Sequence, residues 1–161
     1  MAVDYFLKIK NIEGECKADK HENEIDVLSF SWGETQTGTH STGGGGGAGK
    51  VSMQDFHFVQ KIHKGSPKLM LACACGEHIP EATLYCRKAG KEQQEFFTLK
   101  FYDLMISSFQ TGGSSTGDEI PMEQISMNYS KIEFCYKEQN ADGTLKGPIQ
   151  GKYDLKKVKN Y

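Results

Sequence analysis

Arginine is almost absent from this chain: Arg87 is the only one, and the other 18 of the 19 basic residues are lysines. Bidentate recognition of phosphate and guanine favours the arginine fork, so nucleic-acid binding starts from a weak position. The lysines are scattered apart from Lys156, Lys157 and Lys159, which read as a solvated tail, and 21 acidic residues leave the chain close to neutral. Long apolar runs are missing too. No window approaches the ~18 apolar residues of a membrane-spanning helix, so no membrane insertion is expected. Met1 to Lys10 holds Asp4, Lys8 and Lys10 within an alternating pattern and lacks the apolar stretch and cleavage site of an export signal. The cysteines, Cys16, Cys73, Cys75, Cys86 and Cys135, are odd in number and lack the spacing of a disulfide scaffold, which predicts reduced thiols and a cytoplasmic setting.

Signatures of catalysis are equally sparse. Gly44 to Lys50 reads G-x-x-x-x-G-K, but Val51 stands where a phosphate-binding loop needs Ser or Thr, and the residues after it alternate like a strand. Cys73 and Cys75, with His78 nearby, lie two apart on a predicted helix and so point to different sides, which prevents joint chelation. His21, His40, His57 and His63 fall in separate segments without metalloprotease spacing, and no G-x-S-x-G elbow accompanies Ser107, Ser108, Ser114 or Ser115. Glu22, Glu24 and Asp26 form the densest acidic group and read as a solvated face rather than an acid pair. The expectation is therefore a chain that is not an enzyme and has no cofactor or metal.

What the sequence does contain is period-two alternation. Tyr5, Leu7 and Ile9; Leu28, Phe30 and Trp32; Phe56 and Phe58; Ala82, Leu84 and Cys86; Phe97, Leu99 and Phe101; and Ile132, Phe134 and Tyr136 each fall on one face of a strand. Parity switches between Val27 and Leu28, and again between Met53 and Phe56, which predicts bulges or bends. One helix is predicted, with Ser66 as N-cap, Pro67 at the first helical position and Gly76 as the stop; Leu69, Ala72, Cys73 and Gly76 share one side of it. Turns are expected at Gly112 to Gly117 and Asn140 to Gly143. The 161 residues suit a single domain over positions 1–161, able to bury roughly 70% of its unfolded surface. The expected fold is mainly β: a small closed antiparallel β-barrel with one short flanking α-helix and an extended Gly-rich loop.

Apolar doublets at Tyr5-Phe6, Phe96-Phe97 and Leu104-Met105-Ile106 make both faces of a strand apolar, more than one small barrel with one helix can hide. Such bands mark interaction surfaces, and identical copies closing into a ring are the usual solution. The alternative is that Lys and Tyr side chains cover them and the chain is a monomeric β-barrel binding a sugar or a peptide.

Read in order, Ile12-Glu-Gly-Glu15 with His21, Glu24-Ile-Asp-Val-Leu-Ser-Phe-Ser-Trp-Gly33, the Gly-rich loop with Gly49-Lys50, and Ser66-Pro-Lys-Leu-Met-Leu-Ala-Cys73 resemble the haemolysin-coregulated protein (Hcp) family. The likeness continues through Ile106-Ser-Ser-Phe109, Glu123-Gln-Ile-Ser-Met-Asn-Tyr129 and Asn140-Ala-Asp-Gly143. It implies an inner-tube subunit of a bacterial type VI secretion system, forming homohexameric rings that stack into a hollow tube. The partners it implies are a contractile sheath, a spike protein at the tip and effector proteins carried in the lumen. It also implies release from the cytoplasm through the machine itself, without a cleavable signal. On this reading Gly38 to Lys50, with Gly38, Thr39, His40, Gly45, Gly49 and Lys50 as candidates, reaches to the next subunit or ring, and Ser29 and Ser31 face the lumen where cargo is held.

Overall fold

A computed structural model describes residues 2–38, 48–89, 93–117 and 120–161. Its strands are β1 (Val3–Ile9), β2 (Ile25–Val27), β3 (Ser29–Ser31), β4 (Glu34–Gly38), β5 (Ala48–Met53) and β6 (Phe56–Lys61). The helix α1 (Ser66–Cys75) follows, and then β7 (Ile79–Lys88), β8 (Glu95–Gly112), β9 (Met122–Asn128), β10 (Lys131–Gln139), β11 (Leu145–Asp154) and β12 (Lys159–Asn160). The chain is mainly β, as the alternation predicts.

The long strand β8 organises everything else. Its first part pairs with β7 on one side and β10 on the other, and from Met105 onward it pairs with β9. Leu99 and Phe101 point inward, and so do Leu104 and Ile106, which is possible only if the side-chain parity slips between them. Asp103 sits at that slip in the left-handed region, φ 50°. Its carboxylate accepts hydrogen bonds from Ser130 Oγ at 3.0 Å and from Lys156 Nζ, and lies 2.8 Å from His78 Nδ1. Leu104-Met105-Ile106 is thus an ordinary alternating run with only Met105 exposed, not a band apolar on both faces.

From β8 two limbs fold over one core. One runs β7, β1, β2, with β10, β11 and β12 extending beyond β8; the other runs β9, β6, β3. Leu7, Leu84, Leu99 and Phe101 from the first meet Phe56, Phe58, Ile125 and Met127 from the second, all at most 1% exposed. The free strands of the two limbs, β2 and β3, are consecutive in the chain and separated by Leu28, whose N–H donates to Val59 O at 2.8 Å. Among the described residues the strand order is therefore open at this bend rather than a closed ring of ladders. The parity change at Leu28 is real, yet Leu28 itself turns outward, and only Phe30 and Trp32 of its predicted trio pack against the core.

Helix α1 lays Leu69 and Ala72 into the core against β8. Gly65, not Ser66, holds the cap position, and no side chain caps the helix. A Cβ on Gly65 would meet Glu13 O at 2.5 Å, so only glycine fits that crossing. Ser66 instead opens the helix from inside: its Oγ accepts from His63 N at 3.1 Å and donates to the buried Glu123. At the other end Gly76 adopts φ 60°, ψ 41°, and N–H groups return to Ala72 O and Cys73 O.

Candidate assembly surfaces

Three surfaces are candidates, beginning with an arm. Among the described residues, strands β4 and β5 pair only with each other, as a two-stranded sheet with Glu34 opposite Met53 and Gln36 opposite Val51. Such a ribbon has little stability of its own in water. Gly38, Gly49 and Lys50, expected in a loop, belong to these strands, and the residues after Lys50 extend β5 instead of opening a helix. Thr39, His40 and Gly45 lie outside the described residues.

Beside the arm lies an apolar hollow of about 580 Å³, bounded by Trp32, Val51 and Met53 on one side and by Phe134, Tyr136 and Ile149 on the other. Phe134, Tyr136 and Ile149 are 42%, 43% and 67% exposed. The alternation that grouped Phe134 and Tyr136 with the buried Ile132 is correct as to face. The interior, however, ends near Ile132, because β10 and β11 extend past the limb that would have covered them. Phe97 packs edge-on against Phe134, the ring centroids 4.8 Å apart.

The outer face of β3, β6, β9 and the end of β8 has another chemistry. Ser31, His57, Ser126 and Ser108 form one row across the four strands, and Ser29, Val59, Gln124 and Gln110 form the next. Ser29 and Ser31 are both exposed, and His57 Nδ1 lies 3.0 Å from Ser126 Oγ. No charged carboxylate, lysine or arginine occupies these rows. Beyond Ser29 and Ser31, the outward residues of this face are legible in the alternation of Gln124, Ser126 and Asn128 with the buried Glu123, Ile125 and Met127.

Some apolar surface expected to be bare is covered. Phe6 is buried on the side of β1 away from the main core, stacked on His21 with centroids 4.3 Å apart and with the Arg87 guanidinium 4.7 Å from its ring centre. His21 Nδ1 lies 3.0 Å from Glu24 Oε2. Its Nε2 lies 2.7 Å from Glu95 Oε1, off the direction of a ring hydrogen bond. The single arginine thus serves packing, with Nη1 donating to Asp19 O at 3.0 Å. A groove of about 1260 Å³ on this side matches five lysines with five carboxylates, giving no convergent positive site for phosphate.

Cys73 is half-buried and Cys75 exposed, and burial pushes the Cys86 thiol up to about 12, so it stays protonated and inert. Among the described residues no three His, Cys, Asp or Glu side chains gather as a metal-binding group, and no helix is long and apolar enough to cross a membrane.

Comparison with known proteins decides the family. Residues 6–136 match the family model described as "Type VI secretion system effector, Hcp". The chain belongs to the Hcp family. Protein hcp1 of Pseudomonas aeruginosa is 43% identical over 158 residues, 97% of each chain. Hcp1 from Salmonella typhimurium is 35% identical and superposes with a TM-score of 0.80 over the full length of both chains. A structure described as a type six secretion system protein reaches 0.94 at 28% identity, covering 99% of this chain and all of that one. The protein is accordingly an Hcp component of type VI secretion, a secreted structural family.

Proposed function

We propose that this Hcp protein closes into hexameric rings that stack into the hollow inner tube of a type VI secretion system. The observation that carries the reading is an exposed apolar hollow beside a two-stranded arm that, among the described residues, pairs with no other strand of the protomer. Apolar area left open on a protomer favours association, and a ring leaves no protomer with an open face. The bend at Leu28 acts as the seam of a barrel, with β2 and β3 as its two lips.

In this account the serine and glutamine rows around Ser29 and Ser31 line the lumen. Hydroxyl and amide groups hydrogen-bond to many surfaces, and the absence of like charge lets differing effector proteins pass or dock. The segment from Gly38 to Lys50 engages an adjacent copy. Sheath, spike and effectors are the partners, and the protein leaves the cytoplasm through the machine. Its work is assembly and transport, without catalysis.

Electron microscopy of the purified protein tests the ring directly, the expected image being six-fold annuli with a central hole. For the lumen, Ser31→Gln should lose co-purifying cargo while annuli persist; unchanged cargo retention would remove Ser31 from the lumen.

A further inference from the structure

The two strands of the arm leave the body at only two points, Trp32-Gly33 before β4 and Gln54-Asp55 after β5, and both are bound to one side chain, Tyr129. Tyr129 is 5% exposed, and its ring packs against Phe101 with centroids 4.8 Å apart, so the hydroxyl has a fixed position. That hydroxyl accepts from Trp32 Nε1 and donates to Gln54 O at 2.8 Å. A phenol has one proton to donate, so its donor role is used up on one stem while a lone pair holds the other. Gln54 N donates in turn to Gly33 O at 2.9 Å, tying the stems to each other. The next residue, Asp55, accepts from Ser107 Oγ at 2.6 Å and Asn128 Nδ2 at 2.9 Å, which pins the second stem to β8 and β9.

From this bracket we infer that Tyr129 and Trp32 form a rigid elbow that sets the direction of the arm before it meets another copy. The inference rests on the proposed assembly for its purpose, but not for its geometry. The Tyr129 hydroxyl makes both bonds at once from a ring fixed in the core, so turning the arm would break the two together. Burial also pushes the Tyr129 phenol up to about 12, so the donor persists at any physiological pH. An arm held in its binding direction loses less conformational entropy on docking than a swinging one, which raises affinity without a new contact. Trp32 and Tyr129 are positioning residues in this sense.

Trp32 is the only tryptophan, so its fluorescence reports on the elbow with no label. In the wild-type protein its anisotropy should decay only with overall tumbling; a large component faster than that tumbling would overturn the elbow without any variant. Tyr129→Phe keeps the ring and removes both bonds. Expected are a folded protein by circular dichroism, a new fast anisotropy component, faster amide exchange at Gln54, and an assembly midpoint about ten-fold higher in concentration. Wild-type anisotropy and exchange in the variant would overturn the elbow, and a loosened elbow with unchanged assembly would overturn its role in docking. Should the wild-type protein fail to assemble at all, the proposed function falls, while anisotropy and exchange still decide the elbow.

Discussion

Replacing Ile149 by Ser isolates the apolar hollow. Ile149 faces Tyr136 across the β10–β11 ladder and is 67% exposed in the protomer. Burying a whole isoleucine side chain is worth roughly 1.5–3 kcal/mol, so covering the exposed two thirds contributes roughly 1–2 kcal/mol at each contact between copies. That is about 5- to 30-fold in the affinity of one contact. A closed ring has as many contacts as protomers, so the midpoint concentration for assembly should rise by at least that factor. The protomer itself should lose less than about 1 kcal/mol of stability, since most of the side chain already meets solvent. Sedimentation velocity over a dilution series, with thermal unfolding of the dilute protein as control, separates the two effects. An unmoved assembly midpoint in a variant that folds normally would refute the placement of this surface at the contact.

Other outcomes follow from the interior. Leu84→Ala, at a fully buried position, should cost about 2–5 kcal/mol in denaturant unfolding; a loss below 1 kcal/mol would mean that the core is not packed as described. Gly76→Ala should cost about 1–2 kcal/mol from the left-handed conformation alone, because the added Cβ meets nothing closer than Met105 Cε at 3.8 Å. His63 Nδ1 accepts from Gly65 N at 2.9 Å, and burial lowers the imidazole pKa from 6.5 against the opposing pull of Glu123 and Glu15. The unfolded chain therefore takes up a proton before the folded one does. The stability that neutral His63 provides is full above pH 6.5 and is lost as pH falls through that value toward the folded pKa. His63→Asn, whose amide oxygen can still accept from Gly65, should flatten this part of the pH–stability curve; an unchanged slope in the variant would assign it to other groups.

Local patterns revealed what depends on local chemistry. The breaks at Leu28 and at Gln54-Asp55, the helix over 66–75 and its glycine stop all follow from parity, proline and glycine. Ser29 and Ser31 could be placed outward because their neighbour Phe30 packs inward against Phe56, with centroids 5.9 Å apart. Where the interior ends was not legible. Phe134 and Tyr136 alternate as regularly as Leu99 and Phe101, and only the extension of β10 and β11 beyond the second limb leaves them open. Phe6 read as surplus because the residues that cover it, His21 and Arg87, lie far apart in sequence. The elbow is less legible still, since Trp32 and Tyr129 are 97 positions apart and neither belongs to a motif with a known spacing.

The central claim is that surfaces left open on one protomer are hidden by identical copies. Sedimentation equilibrium of the wild-type protein at micromolar concentration tests it most directly. A discrete species of about six times the 17.9 kDa chain mass, persisting across ordinary buffers, is expected. A single species at 17.9 kDa throughout the concentration range would contradict it.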